Sequence, residues 1–440
     1  MLTHLQLDAI NASIITIKNI TTPPPAYHEI VHIKLQDTNQ NSSQTRLGRV
    51  IKTHKDMATI QVFHGTAGMS LHNTASTFAG RVLDMPLSAD ILGRTFNGIN
   101  QPLDGLGAVH ATLRRPIDTM GLGPTQRVCP RDFICTGFSA IDGLTTLVRG
   151  QKLPIFSVAG LPHNQLAVDI ATSATAGGPG QAEDKFAVVF AAMGIGADTA
   201  NFFSDIFEKS GKMHRTVMFL NLATDPPGER IATPRFALTA AEYLAFDCGY
   251  HVLVILTDMT AYAEALREIS SQNNEIPSRK GYPGYLYSDL ASIYERAGIQ
   301  KNRPGSLTQL PILTMPAGDI THPIPDLTGY ITEGQIVLDA KLHRQGIYPP
   351  INVLPSLSRL MKDDRGIAQP LFKNYALVEE TRALKAIIGA EDLTTAQQDI
   401  LQFGDRFEQE FLHQNTGDRR TMDETEDIAK KITQKPSQKA

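Results

Sequence analysis

Five apolar runs of strand length punctuate the middle of the sequence, at residues 153–158, 186–193, 216–222, 251–257 and 310–315. None alternates with polar residues, so none can leave one face in water. Between them lie stretches with helical spacing, at 163–174, 197–209, 235–246, 261–270 and 285–297. Strands buried on both faces and separated by helices predict a parallel sheet covered above and below, an α/β fold.

The flanks read differently. Residues 31–36 alternate apolar and polar with period two, the polar stretch 37–45 reads as a turn, and 50–51 and 58–63 supply further strands. Short strands at close spacing predict a small closed barrel or sandwich. Residues 79–150 hold Gly/Pro-rich connections toward the sheet. After Pro349-Pro350 the strand pattern is expected to stop. Thr394-x-x-Gln397 has the form of a helix capping box, and Ile400, Phe403, Phe407 and Phe411 share one helical face, a packing stripe. The tail from Asn415 to Ala440 is polar and mixed in charge, which predicts fraying or disorder. The expected order is a β-barrel over 1–75, a nucleotide-type core over 76–350, a helical domain over 351–414 and a disordered tail over 415–440.

Composition narrows function. With 41 Lys plus Arg against 45 Asp plus Glu in 440 residues, the net charge is −4. That balance argues against a mainly electrostatic binder of nucleic acid or anionic membrane. Cys129, Cys135 and Cys248 are too few and unevenly spaced for a disulfide framework or a zinc knuckle; buried or half-buried thiols are the expectation. The longest apolar run, 187–197, is about half a membrane span, and the first 17 residues make a poor signal peptide.

Three constellations could carry chemistry. His28-Glu29-Ile30-Val31-His32 matches the H-E-x-x-H pattern, which on a helix sets two imidazoles on one zinc. Here a strand pattern runs through it, and on a strand the two histidines stand ~13 Å apart. No metal site is expected. Second, an α/β core invites a phosphate loop, G-x-x-x-x-G-K-[ST], whose amides cradle phosphates and whose Lys supplies charge. After the first core strand stands Ser157-Val158-Ala159-Gly160-Leu161-Pro162-His163-Asn164. The Lys has become His163 and the hydroxyl residue Asn164, so either a degenerate phosphate loop or a plain strand–loop–helix turn fits. Third, Asp258 closes an apolar strand where a magnesium-binding Asp could sit, though strand-end Asp also caps helices. Ile195 occupies a place where a water-polarising Glu could stand.

These residues resemble the B subunit of V-type (archaeal-type) rotary ATPases. The resemblance runs through Glu29-Ile30-Val31, Gly93-Arg94-x-Phe96-Asn97-Gly98, Pro102-Leu103-Asp104-Gly105, and Thr136-Gly137-Phe138-Ser139-Ala140-Ile141-Asp142-Gly143. It continues through Arg149-Gly150-Gln151-Lys152, Gly160-Leu161-Pro162-His163-Asn164, Phe190-Ala191-Ala192-Met193-Gly194, the run from Leu238 to Ala245, Leu256-Thr257-Asp258-Met259-Thr260 and Leu354-Pro355-Ser356-Leu357-Ser358-Arg359-Leu360-Met361. It implies a barrel, a RecA-like core with a degenerate P-loop, and a C-terminal helical bundle. It implies a ring of three A and three B subunits, with central-stalk D and F and peripheral-stalk E and G subunits. ATP or ADP with magnesium would sit at the A–B interface, held mainly by A, with none bound by B alone. Gly160, His163, Asn164 and Asp258 would form a weak or silent nucleotide site. Arg359 would reach in trans into the A-subunit site, Ser356 and Ser358 would position it, and Tyr330 and Tyr348 would lie in the interface region. The complex would sit peripherally on the cytoplasmic face of a membrane and couple ATP synthesis or hydrolysis to proton or sodium transport. Two rivals remain: a catalytic hexameric ATPase of the secretion type, and a scaffold with no trans role. Two segments depart from longer members: the short passage from Lys362 to Gln369 before Pro370-Leu371-Phe372, and Gly177-Gly178-Pro179-Gly180.

Overall fold

A computed structural model describes residues 3–4, 7–20, 24–35, 44–119, 121–176, 185–361, 363 and 365–434. The Gly177–Gly180 segment lies outside them, as do Lys362 and residues 36–43. The chain divides into two compact units: Met1–Gly121 with Val189–Tyr243 and Asp258–Arg296, and Leu122–Val188 with Leu244–Thr257 and Ala297–Ala440.

The first unit opens with a seven-stranded antiparallel sheet. Its order is Thr3–His4, Thr74–Val82, Glu29–Leu35, Gln44–His54, Met57–Val62, Ile14–Ile17, Leu7–Asn11. Among the described residues the path is not closed by backbone hydrogen bonds, which does not exclude a barrel. The period-two reading of 31–36 holds: Val31, Ile33 and Leu35 are buried, while His32 is half-buried and Lys34 exposed. Their buried neighbours Ile15, Ile17, Val50, Ile60 and Val62 complete an apolar core. The expected turn over 37–45 ends early: Gln44 and Thr45 already pair with Leu35 and Lys34, extending the ladder.

Also in this unit are the helices Ala197–Lys209, Pro227–Glu242, Met259–Gln272 and Leu286–Tyr294. The second begins eight residues before the sequence expectation, because Pro234 lies within it and removes one backbone donor without ending it. Arg94 forks onto Asp104 at 2.5 and 3.0 Å. That hydrogen-bonded guanidinium, with the amides of Leu106 and Thr95, holds the Asp104 carboxyl at about 2.

The second unit carries four parallel strands in the order Gly334–Leu338, Ile155–Ser157, Ser306–Thr314, His251–Thr257. Their apolar composition follows from burial on both faces. One expectation is corrected here. Strands do not stop at Pro350: Ile351–Ser358 adds an antiparallel edge strand beside Gly334–Leu338. Pro355 is tolerated because edge strands can spare a donor, and the register shifts between Gln335 and Val337.

Three helices follow, Ala368–Ile388, Thr395–Arg406 and Met422–Thr433, with a π turn at Phe407–Leu412. The Thr394/Gln397 capping box forms, and Phe403, Phe407 and Phe411 stack at 5.9 and 5.4 Å. Beside this stack Glu408 is buried, with Tyr375 donating to it at 2.8 Å and Arg382 at 2.5 Å, the pairing a buried carboxylate needs.

The tail expectation is also corrected up to Gln434; residues 435–440 lie outside the described residues. Thr421 and Glu424 form a second capping box and start Met422–Thr433, whose Met422, Thr425, Ala429 and Ile432 are buried. The charged residues that suggested disorder lie on the other face of an amphipathic helix. This end is tied to the α/β part: Gln414 donates to Gly137 O at 2.9 Å and accepts from Ser139 N at 2.8 Å. Of the three thiols, Cys129 is exposed, contrary to expectation, and the other two are partly buried. Among the described residues no helix is long and apolar enough to cross a membrane.

Candidate functional site

The loop after Ile155–Ser157 has the backbone of a phosphate loop without its charge. Gly160 turns the chain at φ +87°, and a Cβ there would meet nothing within 4 Å, so the space above it is open. Leu161 N donates to Val158 O at 3.1 Å and His163 N to Leu161 O at 2.9 Å; these amides already have partners inside the loop. His163 then opens the helix His163–Ser173. Its Nδ1 lies 3.0 Å from Ser157 Oγ, so the imidazole folds back on the strand end. Asn164 is half-buried behind it. A strand, a glycine turn and a helix N-terminus can favour an anion weakly, but no lysine stands in the loop to neutralise a triphosphate.

The loop's supposed partners lie in the first unit. Asp258 accepts from Thr260 N at 2.7 Å and caps Met259–Gln272. Ile195 ends the strand Phe186–Ile195 as a buried apolar residue. The H-E-x-x-H residues follow the strand reading. His28 sits at φ +66° just before Glu29–Leu35, with its Nδ1 3.2 Å from Asp118. Burial would raise the Asp118 carboxyl, yet His28, Arg49 and Arg235 hold it well below the usual range. Glu29 accepts from the amides of Ala26 and Gly80 at 2.8 and 2.7 Å.

The edge strand Ile351–Ser358 delivers Arg359 to the surface. Both of its serines are buried and bonded. Ser356 Oγ donates to Asn352 O at 2.5 Å and accepts from Val337 N at 2.9 Å. Ser358 Oγ donates to Thr146 O and accepts from Gln151 Nε2, each at 2.9 Å. Arg359 N donates to Glu333 O at 2.9 Å. Beyond that amide the residue is exposed. Among the described residues its guanidinium has no hydrogen-bond or ion-pair partner. A cation whose backbone is fixed and whose side chain is free can serve a site outside its own chain.

The two tyrosines separate. Tyr330, on Pro323–Ile331, is 75% exposed. Tyr348 is half-buried and donates to Asp169 Oδ2 at 2.5 Å. Its ring meets Phe138 edge-on at 6.3 Å.

Sequence reading passed over Gln151, Glu333, Gly334 and Asp169 as individual residues. Gln151 stood inside a quoted motif, but its role depends on contacts with residues about 200 positions away. A buried amide side chain beside a strand start was the one available signal.

The chain matches the ATP synthase alpha/beta family nucleotide-binding domain over residues 137–358 and the C-terminal domain of V and A type ATP synthase over 361–438. It is 52% identical to the V-type ATP synthase beta chain 2 of Clostridium tetani over 439 residues, 98% of this chain and 94% of that one. It is 53% identical to the A-type ATP synthase B chain of Aeropyrum pernix, covering 92% of this chain and 88% of the relative. The solved ATP synthase subunit NeqB of Nanoarcheaum equitans is 38% identical with a TM-score of 0.74, covering 92% of this chain and 98% of that one.

Proposed function

This chain belongs to the B (beta) subunits of the V- and A-type ATP synthases, and from that premise we propose that it is the non-catalytic, regulatory member of an alternating A3B3 ring. In this reading Arg359 is an arginine finger given in trans to the ATP site of the neighbouring A subunit. As water attacks the γ-phosphorus and the bond to the β-phosphate bridging oxygen breaks, charge shifts over the phosphoryl oxygens. A guanidinium held there stabilises that charge. ATP with magnesium is the substrate, held mainly by the A subunit. Through D and F on the central stalk and E and G on the peripheral stalk, the cycle couples to proton or sodium movement. The ring sits peripherally at the cytoplasmic face of the membrane.

The observations that carry the reading are an Arg359 guanidinium that is free among the described residues on a fixed strand end, and a phosphate loop with His163 where a lysine is needed. In that arrangement the chain contributes charge to a neighbour and none to itself. The test is co-expression with A, D and F subunits, followed by ATPase assay. Arg359→Ala is expected to leave the ring assembled and to lower hydrolysis by roughly 10³-fold or more. An assembled, active variant complex would refute the trans role. ATP turnover by the purified chain alone would favour the independent ATPase instead.

A further inference from the structure

One buried amide side chain holds the root of the Arg359 strand from two directions. Gln151 has no solvent exposure. Its Oε1 accepts from Val148 N at 2.8 Å, which fixes the side chain against its own turn. Its Nε2 donates to Ser358 Oγ at 2.9 Å and to Glu333 O at 3.2 Å. Ser358 immediately precedes Arg359. Glu333 O is the atom to which Arg359 N donates. The two hydrogens of a single amide therefore reach both groups that define where the arginine leaves the sheet.

A second tie reinforces the same point. The Glu333 carboxylate accepts from Lys152 N at 2.9 Å and lies 2.8 Å from Lys152 Nζ, and Glu333 N donates to Lys152 O at 3.1 Å. The Lys152 side chain is 5% exposed. So residues 151 and 152, just ahead of Ile155–Ser157, grip the Glu333 backbone on one side and the Ser358 hydroxyl on the other. The edge strand ends next to a register shift, where the ladder pairing of Ser358 with Gly334 and the Ser358 bond to Thr146 O are its other ties.

We propose that Gln151 is a positioning residue for the trans arginine: it sets the departure point of Arg359 so that the guanidinium meets the transferring phosphoryl group of the neighbouring subunit. This rests on the trans reading of Arg359. Gln151 touches no substrate. It acts by keeping the arginine in one place, and a displacement of about 1 Å at a reacting group can cost on the order of 100-fold in rate.

The experiment uses the assembled complex with A subunits, checked for ring assembly by size exclusion. Steady-state kcat and KM for ATP and the single-turnover rate are measured for wild type, Gln151→Met, Ser358→Ala, Arg359→Ala and the pairwise doubles. Gln151→Met keeps the side chain's length and removes both donors. Expected is a kcat loss on the order of 10- to 100-fold with KM unchanged, since the A subunit does the holding. In the Arg359→Ala background Gln151→Met should cause no further loss, because the residue acts only through the arginine. Ser358→Ala should lower kcat in the same way and add less than its full effect to Gln151→Met, whereas Ser358→Thr, which keeps the hydroxyl, should restore the rate.

An assembled Gln151→Met complex with wild-type kcat overturns the proposal. So does a Gln151→Met loss that persists at full size in the Arg359→Ala background. If Gln151→Met fails to assemble, Ser358→Ala decides alone, and wild-type kcat there is likewise fatal. Wild-type kcat in Arg359→Ala itself is a different failure: it removes the trans reading and this inference with it.

Discussion

The loop at 157–164 and the strand at 351–359 belong to the same compact unit and treat their functional positions in opposite ways. In the loop the backbone is open and the side chain is closed. Gly160 leaves space above itself, while His163 is folded onto Ser157. At the strand the backbone is closed and the side chain is open. Ser356, Ser358 and the Arg359 amide are all bonded, while the guanidinium is free among the described residues. The difference teaches that a nucleotide fold can keep its phosphate-loop shape as architecture and place its charge on another edge. Family membership alone would not distinguish these two uses.

The comparison can be broken most severely at Arg359, through the roughly 10³-fold loss expected for Arg359→Ala. Next in size is the strand's own backbone. A Cβ on Gly334 would sit 2.1 Å from Leu357 O, at φ +143°. Gly334→Ala is therefore expected to destabilise the chain by about 3 kcal/mol or more, read by denaturant unfolding; an unchanged midpoint would mean the strand is not so tightly seated. Smaller is the joint between the two regions, where Tyr348 donates to Asp169 on the helix that leaves the loop. Tyr348→Phe should cost about 1–3 kcal/mol.

That joint also has a pH sign. Burial pushes the Asp169 carboxyl above its ordinary value, against the Tyr348 hydrogen bond, which lowers it. A folded value above the unfolded one means that stability falls as pH rises from about 4 through the folded value. Removing the hydroxyl raises the carboxyl further, so in Tyr348→Phe the decline should extend to higher pH. A carboxyl titration by NMR that moved downward would contradict this.

Smaller still is Gly160→Ala. The new methyl meets nothing, so only the positive φ is strained, at about 1 kcal/mol. The contrast with Gly334→Ala sharpens the distinction between an open loop and a packed strand. Smallest is His163→Ala, for which the assembled complex should keep its hydrolysis rate; a large loss would return function to the loop.

Much of this was legible in the sequence, and the reasons are physical. The runs at 216–222 and 251–257 coincide with the strands Thr216–Leu222 and His251–Thr257, because burial on both faces leaves an unbroken apolar signal. The capping box at Thr394 was readable because both partners lie within four residues. The Ile351–Ser358 strand was missed because Pro355 interrupts a short edge strand whose pairing with Gly334–Leu338 is not local. The Met422–Thr433 helix was missed because its buried face is built from Thr and Ala as well as Met and Ile, so composition read as polar. At the site, the absent lysine at His163 was visible at once. The ties from Gln151 and Glu333 were not, since they join segments far apart in the chain.

The central claim is that chemistry leaves this chain through Arg359 and not through its own loop. The most direct measurement is the single-turnover ATP hydrolysis rate of assembled rings carrying Arg359→Lys beside rings carrying His163→Ala. Lysine keeps the charge but loses the planar fork. The account predicts near-abolition in the first and a wild-type rate in the second. Rings that hydrolyse normally with Arg359→Lys, or that stall with His163→Ala, would contradict it.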